Sequence, residues 1–129
     1  MPDLSDSARA LIDANSYATV GTIEPDGQPQ LSLVWVTREG DDVVFSTLAS
    51  RRKHANLDRD PRITLLITLP EAPYAYLEIR GTATMDTEGG DKLINDLSLK
   101  YTGKPYTSDL PGAVRVVVRV TAGHVVEHG

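Results

Sequence analysis

Two short turn sequences constrain this chain more than anything else in it. Pro25-Asp26-Gly27 and Glu39-Gly40-Asp41-Asp42 separate runs of β-forming residues, and Pro presets φ for such a turn while Gly accepts positive φ. The runs they separate are residues 17–24 (YATVGTIE), 28–38 (QPQLSLVWVTR) and 43–48 (VVFSTL). Three antiparallel strands then fit within about 30 residues, a meander. In the second run Leu31, Leu33 and Trp35 alternate with Ser32, Val34 and Val36. Both faces are largely apolar, which predicts a central strand.

The remaining elements follow by the same reasoning. Leu4-Ser5-Asp6-Ser7 offers several helix caps, and Leu4, Ala8, Leu11 and Ile12 recur at helical spacing, so a short amphipathic helix is expected over part of the core. Residues 62–69 (RITLLITL) predict a fourth strand. Pro70-Glu71-Ala72-Pro73 predicts a rigid loop, and residues 74–84 (YAYLEIRGTAT) a fifth strand with Gly81 as a bulge or close-approach point. After Gly89-Gly90, the residues Leu93, Ile94, Leu97 and Tyr101 form one helical stripe ended by Gly103 and Pro105, the longest helix expected. Residues 113–121 (AVRVVVRVT), extended by His124-Val125-Val126, complete a sixth strand. Six antiparallel strands and three short helices imply a mainly β fold, a small barrel with helices over its ends.

A length of 129 residues fits a single domain spanning 1–129. The formal net charge of −5 repels nucleic acid and anionic membrane surfaces. Cysteine is absent, which removes disulfides and thiolate chemistry together. No apolar run approaches the length of a membrane span, and MPDLSDSARA lacks the basic and apolar regions of a signal peptide. A cytoplasmic location is the default expectation.

Against this acidic background one basic cluster stands out. Between the strand at 43–48 and Asp60-Pro61, which must end a helix, Ser50 is a good N-cap, so Arg51, Arg52 and Lys53 fall in a first helical turn. A helix start already carries about half a positive charge and unpaired N–H groups. Three cations there are unfavourable unless an anion joins them, and a phosphate is the simplest partner. The plainer alternative is a solvated cluster, because exposed like charges repel by only a few tenths of a kcal/mol, of the order of ~0.3.

Familiar catalytic signatures are absent: no Gly-rich phosphate loop, no GxSxG and no HExxH. His54, His124 and His128 are too dispersed to suggest a metal site. The pieces PDGQPQLSLVWV at 25–36, VVFSTLASRRKHANLDRDPRITLL at 43–66, YAYLEIRGTAT at 74–84, KYTGKPY at 100–106 and RVVVRV at 115–120 nevertheless resemble, in order and spacing, the pyridoxamine 5'-phosphate oxidase-like proteins that bind flavin or deazaflavin cofactors. The resemblance covers nearly the whole chain. It implies a six-stranded antiparallel split β-barrel of Greek-key type, the FMN-binding split barrel, with short flanking helices, and a homodimer whose cofactor site lies between subunits.

In that family the strand-to-helix corner grips the cofactor phosphate. Arg52 and Lys53 match the Arg-Lys pair of the oxidases, whereas Arg51 and Lys53 match the basic pair of the deazaflavin-binding branch. The resemblance further implies that Leu33, Val34, Trp35 and Val36 lie along the tricyclic ring and that Thr47 faces the ribityl phosphate. It adds Ser50 and Asn56 to the phosphate corner, and Tyr76 and Arg80 as residues reaching the partner's cofactor. Trp35 reads equally as a ring-stacking residue or a core aromatic, and Tyr76 and Arg80 equally as exposed residues of a sheet face.

Departures narrow the function. Oxidases of pyridoxamine phosphate carry Arg where this chain has Ser32 and Lys where it has Thr37, and their C-terminal Arg- and Trp-bearing motif has no counterpart in VTAGHVVEHG. Vitamin B6 oxidation is therefore disfavoured. LASRRKHANLDRDPR followed by YLEIRG looks more like the branch that uses the deazaflavin F420. The expected activity is F420-dependent hydride transfer to a small unsaturated organic substrate. The alternatives are an FMN-dependent oxidase or reductase and a flavin or deazaflavin carrier without turnover. The acceptor-facing residues are expected in the loops 70–73 and 106–111, with Tyr76, Tyr106 or solvent open as proton donor.

Overall fold

The computed structural model describes residues 3–129, which form seven strands in one antiparallel sheet and three helices. In chain order these are α1 (Asp6–Asp13), β1 (Tyr17–Ile23), β2 (Pro29–Val34), β3 (Thr37–Glu39), β4 (Asp42–Leu48), α2 (Arg52–Arg59), β5 (Arg62–Leu69), β6 (Ala72–Asp86), α3 (Gly90–Thr102) and β7 (Arg115–His128). The strand order is β2-β1-β5-β6-β7-β4-β3. The two outermost strands, β2 and β3, are consecutive in the chain and separated only by Trp35 and Val36. That corner brings the two edges of the sheet together at one end, the geometry of a split barrel.

The seventh strand corrects the expected meander. Residues 28–38 do not form one central strand. They break at Trp35-Val36, so that the first half pairs with β1 and the second with β4. The break is held from α3: the Val36 N–H donates to Tyr101 Oη at 3.0 Å, and the Val36 carbonyl accepts from Lys100 Nζ at 2.6 Å. An edge position also explains why one apolar face of β2 stays open, with Leu31 and Leu33 64% and 66% exposed.

Alternation builds the core. Ala18 and Val20 of β1, Ile63, Leu65 and Ile67 of β5, Leu77 and Ile79 of β6, and Val118 and Val120 of β7 all point inward, around the fully buried Phe45. Helix α1 closes one side with Ala8 and Ile12, joined by Leu4 just before its cap Ser5, whose Oγ accepts from the Ala8 N–H at 3.1 Å. The expected loop at 70–73 is shorter than it reads, because β6 begins at Ala72 and carries Pro73 within its first residues, where Leu69 pairs with Ala72 across a register irregularity. Gly81 is a bulge-and-close-approach site as expected. The β6–β7 register slips there, and a Cβ on Gly81 would lie 2.0 Å from the Thr121 carbonyl oxygen.

A basic cavity at the β4–α2 corner

Strand β4 delivers the chain to the corner with Thr47 turned inward. The Arg51 N–H then donates to the Leu48 carbonyl at 2.9 Å, tightening the turn into α2. The N-cap is Arg51, not Ser50: Arg51 has extended dihedrals and no side-chain capping bond, and Ser50 is exposed one residue outside the helix. The shift by one residue places Arg52, Lys53 and His54, rather than Arg51 to Lys53, in the first turn. The cap lacks an acceptor side chain, so the corner is more electropositive than a Ser cap would have left it.

The three basic residues part company here. Arg52 turns outward and pairs with Glu24 at 2.8 Å. Arg51 and Lys53 border a cavity of about 320 Å³ whose other walls are Leu33, Val34 and Trp35 at the end of β2, Ser46 and Thr47 of β4, and Tyr17 of β1. Across from these stand Ile94 and Leu97 of α3, Tyr106 from the loop after α3, and Arg115 at the start of β7. Register explains the last: Leu48 pairs with Arg115 and Thr47 with Val116, so β7 begins beside the corner. Trp35 stacks on Tyr101 with ring centroids 5.3 Å apart and planes 12° apart, which fixes its orientation at the cavity wall.

The electrostatics of this cavity are unbalanced. Lys53 is only 5% exposed and, among the described residues, has no hydrogen-bonded or ion-paired partner. Burial holds its pKa below the usual lysine range, and the nearby charges of Arg51 and Arg115 lower it further. Thr47 Oγ1 is also buried without a hydrogen-bond partner among the described residues. Arg115 is 7% exposed and compensated: Nε and Nη2 each donate to an Asp109 carboxylate oxygen at 2.8 Å. Its Nη2 also donates to Tyr106 Oη at 2.9 Å. The hydrogen bond with Arg115 holds Asp109 below the usual carboxylate range. Three cations therefore border the cavity, and the carboxylate of Asp109, engaged with Arg115, is not among the lining residues. An unpaired ammonium and an unsatisfied hydroxyl lining one cavity suit an anion with several acceptor oxygens, as a phosphate monoester has.

Of the residues expected at a site, the fold brings together Leu33, Val34, Trp35, Thr47, Arg51 and Lys53. It does not bring in the others. Val36 is fully buried and its backbone is committed to α3. Ser50 is exposed and Arg52 is paired with Glu24, neither lining the cavity, and Asn56 is buried against β1, its Nδ2 donating to Thr22 Oγ1 at 3.0 Å. Tyr76 stacks on His128 at 4.9 Å, and Arg80 pairs with Glu78 at 3.2 Å, both outside this cavity. Of the two loops expected to face an acceptor, that at 106–111 reaches the cavity through Tyr106, while that at 70–73 contributes no lining residue. Arg115 escapes sequence reasoning because it sits in a β-branched run, AVRVVVRVT, where a single Arg reads as an outward-facing residue. Its signal was the nearby Asp109, visible only as a loop acid.

Residues 4–127 match the pyridoxamine 5'-phosphate oxidase family. Among solved structures, one described as an F420 reductase shares 25% identity with a TM-score of 0.83, covering 95% of this chain and 98% of that one. A conserved hypothetical protein of Mycobacterium tuberculosis is similar at 25% identity and a TM-score of 0.77, covering 97% of this chain and 84% of the other. A pyridoxamine 5'-phosphate oxidase-related, FMN-binding protein of Nostoc punctiforme shares the fold at 16% identity and a TM-score of 0.61, over 91% and 76% of the two chains. The chain thus has the split-barrel fold of flavin- and deazaflavin-binding oxidoreductases. It belongs to the pyridoxamine 5'-phosphate oxidase family.

Proposed function

We propose that this protein is an F420-dependent oxidoreductase that transfers hydride between the deazaflavin and a small unsaturated organic substrate. The observation that carries the reading is that Lys53, without a partner among the described residues, lines the same cavity as the unsatisfied Thr47 Oγ1, an arrangement that asks for an anionic ligand. F420, when bound, supplies the two-electron hydride chemistry of its deazaflavin ring. The chain's own part is to bind and orient. Lys53 and Thr47 hold the phosphate, and Arg51, exposed at the mouth, is available to an acidic tail beyond it. Leu33, Val34 and Trp35 form an apolar wall for a planar ring, with Trp35 braced by Tyr101.

Two further features favour F420 over FMN. Of the three basic residues at the corner, those that border the cavity are Arg51 and Lys53, the pair of the deazaflavin branch, while Arg52, the partner of Lys53 in the oxidase pattern, is engaged with Glu24. The solved structure described as an F420 reductase is also similar over nearly its whole length.

A homodimer completes the reading. Leu33 belongs both to the cavity wall and to the open apolar face of β2, which continues through Leu31 to Leu66 of β5, 40% exposed. A second copy covering that face would extend the cavity across the interface, with Arg80 at the border of the same outer face.

Fluorescence titration with F420 and separately with FMN tests the assignment, together with an Arg51→Ala/Lys53→Ala double variant. Micromolar or tighter F420 binding that exceeds FMN binding and collapses in the variant is the expected result. Preference for FMN would transfer the assignment to a flavin enzyme, and no binding of either would overturn the phosphate reading. Turnover with added reduced F420 then separates an enzyme from a carrier.

A further inference from the structure

Arg115 has a donor to spare. Of the five N–H groups of a guanidinium, Nε and Nη2 are occupied by Asp109 and Tyr106, and Nη1 makes only a 3.3 Å contact with Ser46 Oγ, leaving one Nη1 hydrogen without a partner among the described residues. Ser46 borders the same cavity as Lys53 and Thr47. The lightly used edge of the guanidinium is therefore the edge beside the cavity, and the fully used edge faces the loop that follows α3.

We infer that Arg115 is a third anion-binding residue of the basic cavity, and that Asp109 and Tyr106 are positioning residues that hold its Nη1 edge toward the bound anion. The inference rests on reading the cavity as a phosphate site, and adds to it a residue on a third element, β7. The physical case is orientation. A free Arg side chain loses several rotamers when it grips a ligand, whereas this one is already fixed by a bidentate carboxylate, with the Tyr106 ring beneath it at 5.0 Å from the guanidinium carbon. Asp109 engages Nε and Nη2 and leaves the Nη1 edge only lightly used. The loop from Gly103 to Val114 thereby becomes part of the anion site although only Tyr106 of it borders the cavity.

The test compares ligands that differ only by the phosphate: FMN with riboflavin, supported by thermal stabilisation with inorganic phosphate against chloride at matched ionic strength. Variants are Arg115→Gln and Asp109→Asn, with Arg119→Gln as a control cation on the same strand, paired at the surface with Glu39. The expected result is that wild type and Arg119→Gln favour FMN over riboflavin and gain melting temperature with phosphate. Arg115→Gln should cut the FMN-to-riboflavin preference at least tenfold and abolish the phosphate shift, and Asp109→Asn should cut the preference several-fold. If Arg115→Gln weakens FMN and riboflavin by the same factor, Arg115 is a structural clasp and the inference falls. If the preference and phosphate shift survive intact in Arg115→Gln, it also falls while the phosphate reading stands. A wild type with neither preference nor phosphate shift overturns the phosphate reading itself, and this inference with it.

Discussion

At the scale of single residues, Lys53 is the most informative side chain in the molecule. Its burial disfavours the charged form, so the folded protein binds its proton less tightly than the unfolded chain does. The unfolded state then holds more protons between the lowered pKa and the ordinary value of 10.5, and stability rises with pH across that window. Below the lowered pKa the full penalty of the buried charge is present. Lys53→Met should accordingly melt a few degrees higher than wild type at pH 7, taking roughly 3–6 °C per kcal/mol for a chain of this size. The gap should narrow as pH approaches 10.5, and the same variant should lose anion binding; a lower melting temperature at pH 7 would mean that an internal partner stabilises the ammonium. How much of this residue was legible is instructive. The run SRRK after a strand and before Asp60-Pro61 located the corner, because the electrostatics of a helix start are a local matter. Which of the three cations faces inward was not legible, since moving the cap from Ser50 to Arg51 rotates every later side chain by about 100°.

Among elements, α3 matters most to the cavity, although its sequence suggested only the longest helix of the chain. It begins at Gly90, packed so tightly on β7 that a Cβ there would sit 2.2 Å from the Arg115 carbonyl oxygen. Gly90→Ala must push the helix away from β7 or displace Arg115, at a cost of about 1–3 kcal/mol for overpacking. Denaturant melts should show that loss together with weakened ligand binding, whereas a folded variant with unchanged binding would mean that α3 and the cavity are independent. At its other end Tyr101 Oη donates to the Ser16 carbonyl at 2.6 Å and accepts from the Val36 N–H, while its ring supports Trp35. Tyr101→Phe keeps the stack but strands two backbone groups, an expected loss of about 1–3 kcal/mol. Trp35 is the only tryptophan, so a shift in its emission would report directly on the β2–β3 corner. The helices themselves, the glycine end of α3 and the hairpin turns were readable because they depend on neighbours within a few residues. The break of residues 28–38 into β2 and β3 was not, because it is imposed by Lys100 and Tyr101 from more than 60 residues away.

Viewed whole, the chain sets a basic cavity inside an acidic molecule of net charge −5. The attraction is therefore local, and ligand affinity should fall with added salt less steeply than it would for a uniformly basic surface. The open face of β2 and β5 bears on assembly. Leu31→Glu introduces a charge at the centre of the face proposed to pair two copies and should shift sedimentation from dimer toward monomer while leaving the melting of the monomer nearly unchanged. A wild type that sediments as a monomer at micromolar concentration would rule that assembly out. Overall class was legible from sequence because alternation and turn chemistry agree along the chain. The paired edges of the split barrel were not, because they meet only once the whole sheet is in place. The uncompensated charge at Lys53 carries a last consequence, for the lifetime of the polypeptide. If the corner holds an anion as proposed, the fold is least stable when that anion is scarce, and saturation at 100 times Kd would add about 2.7 kcal/mol. Proteolytic survival would then track ligand supply, so that starving a cell of the cofactor would deplete the polypeptide as well as its activity.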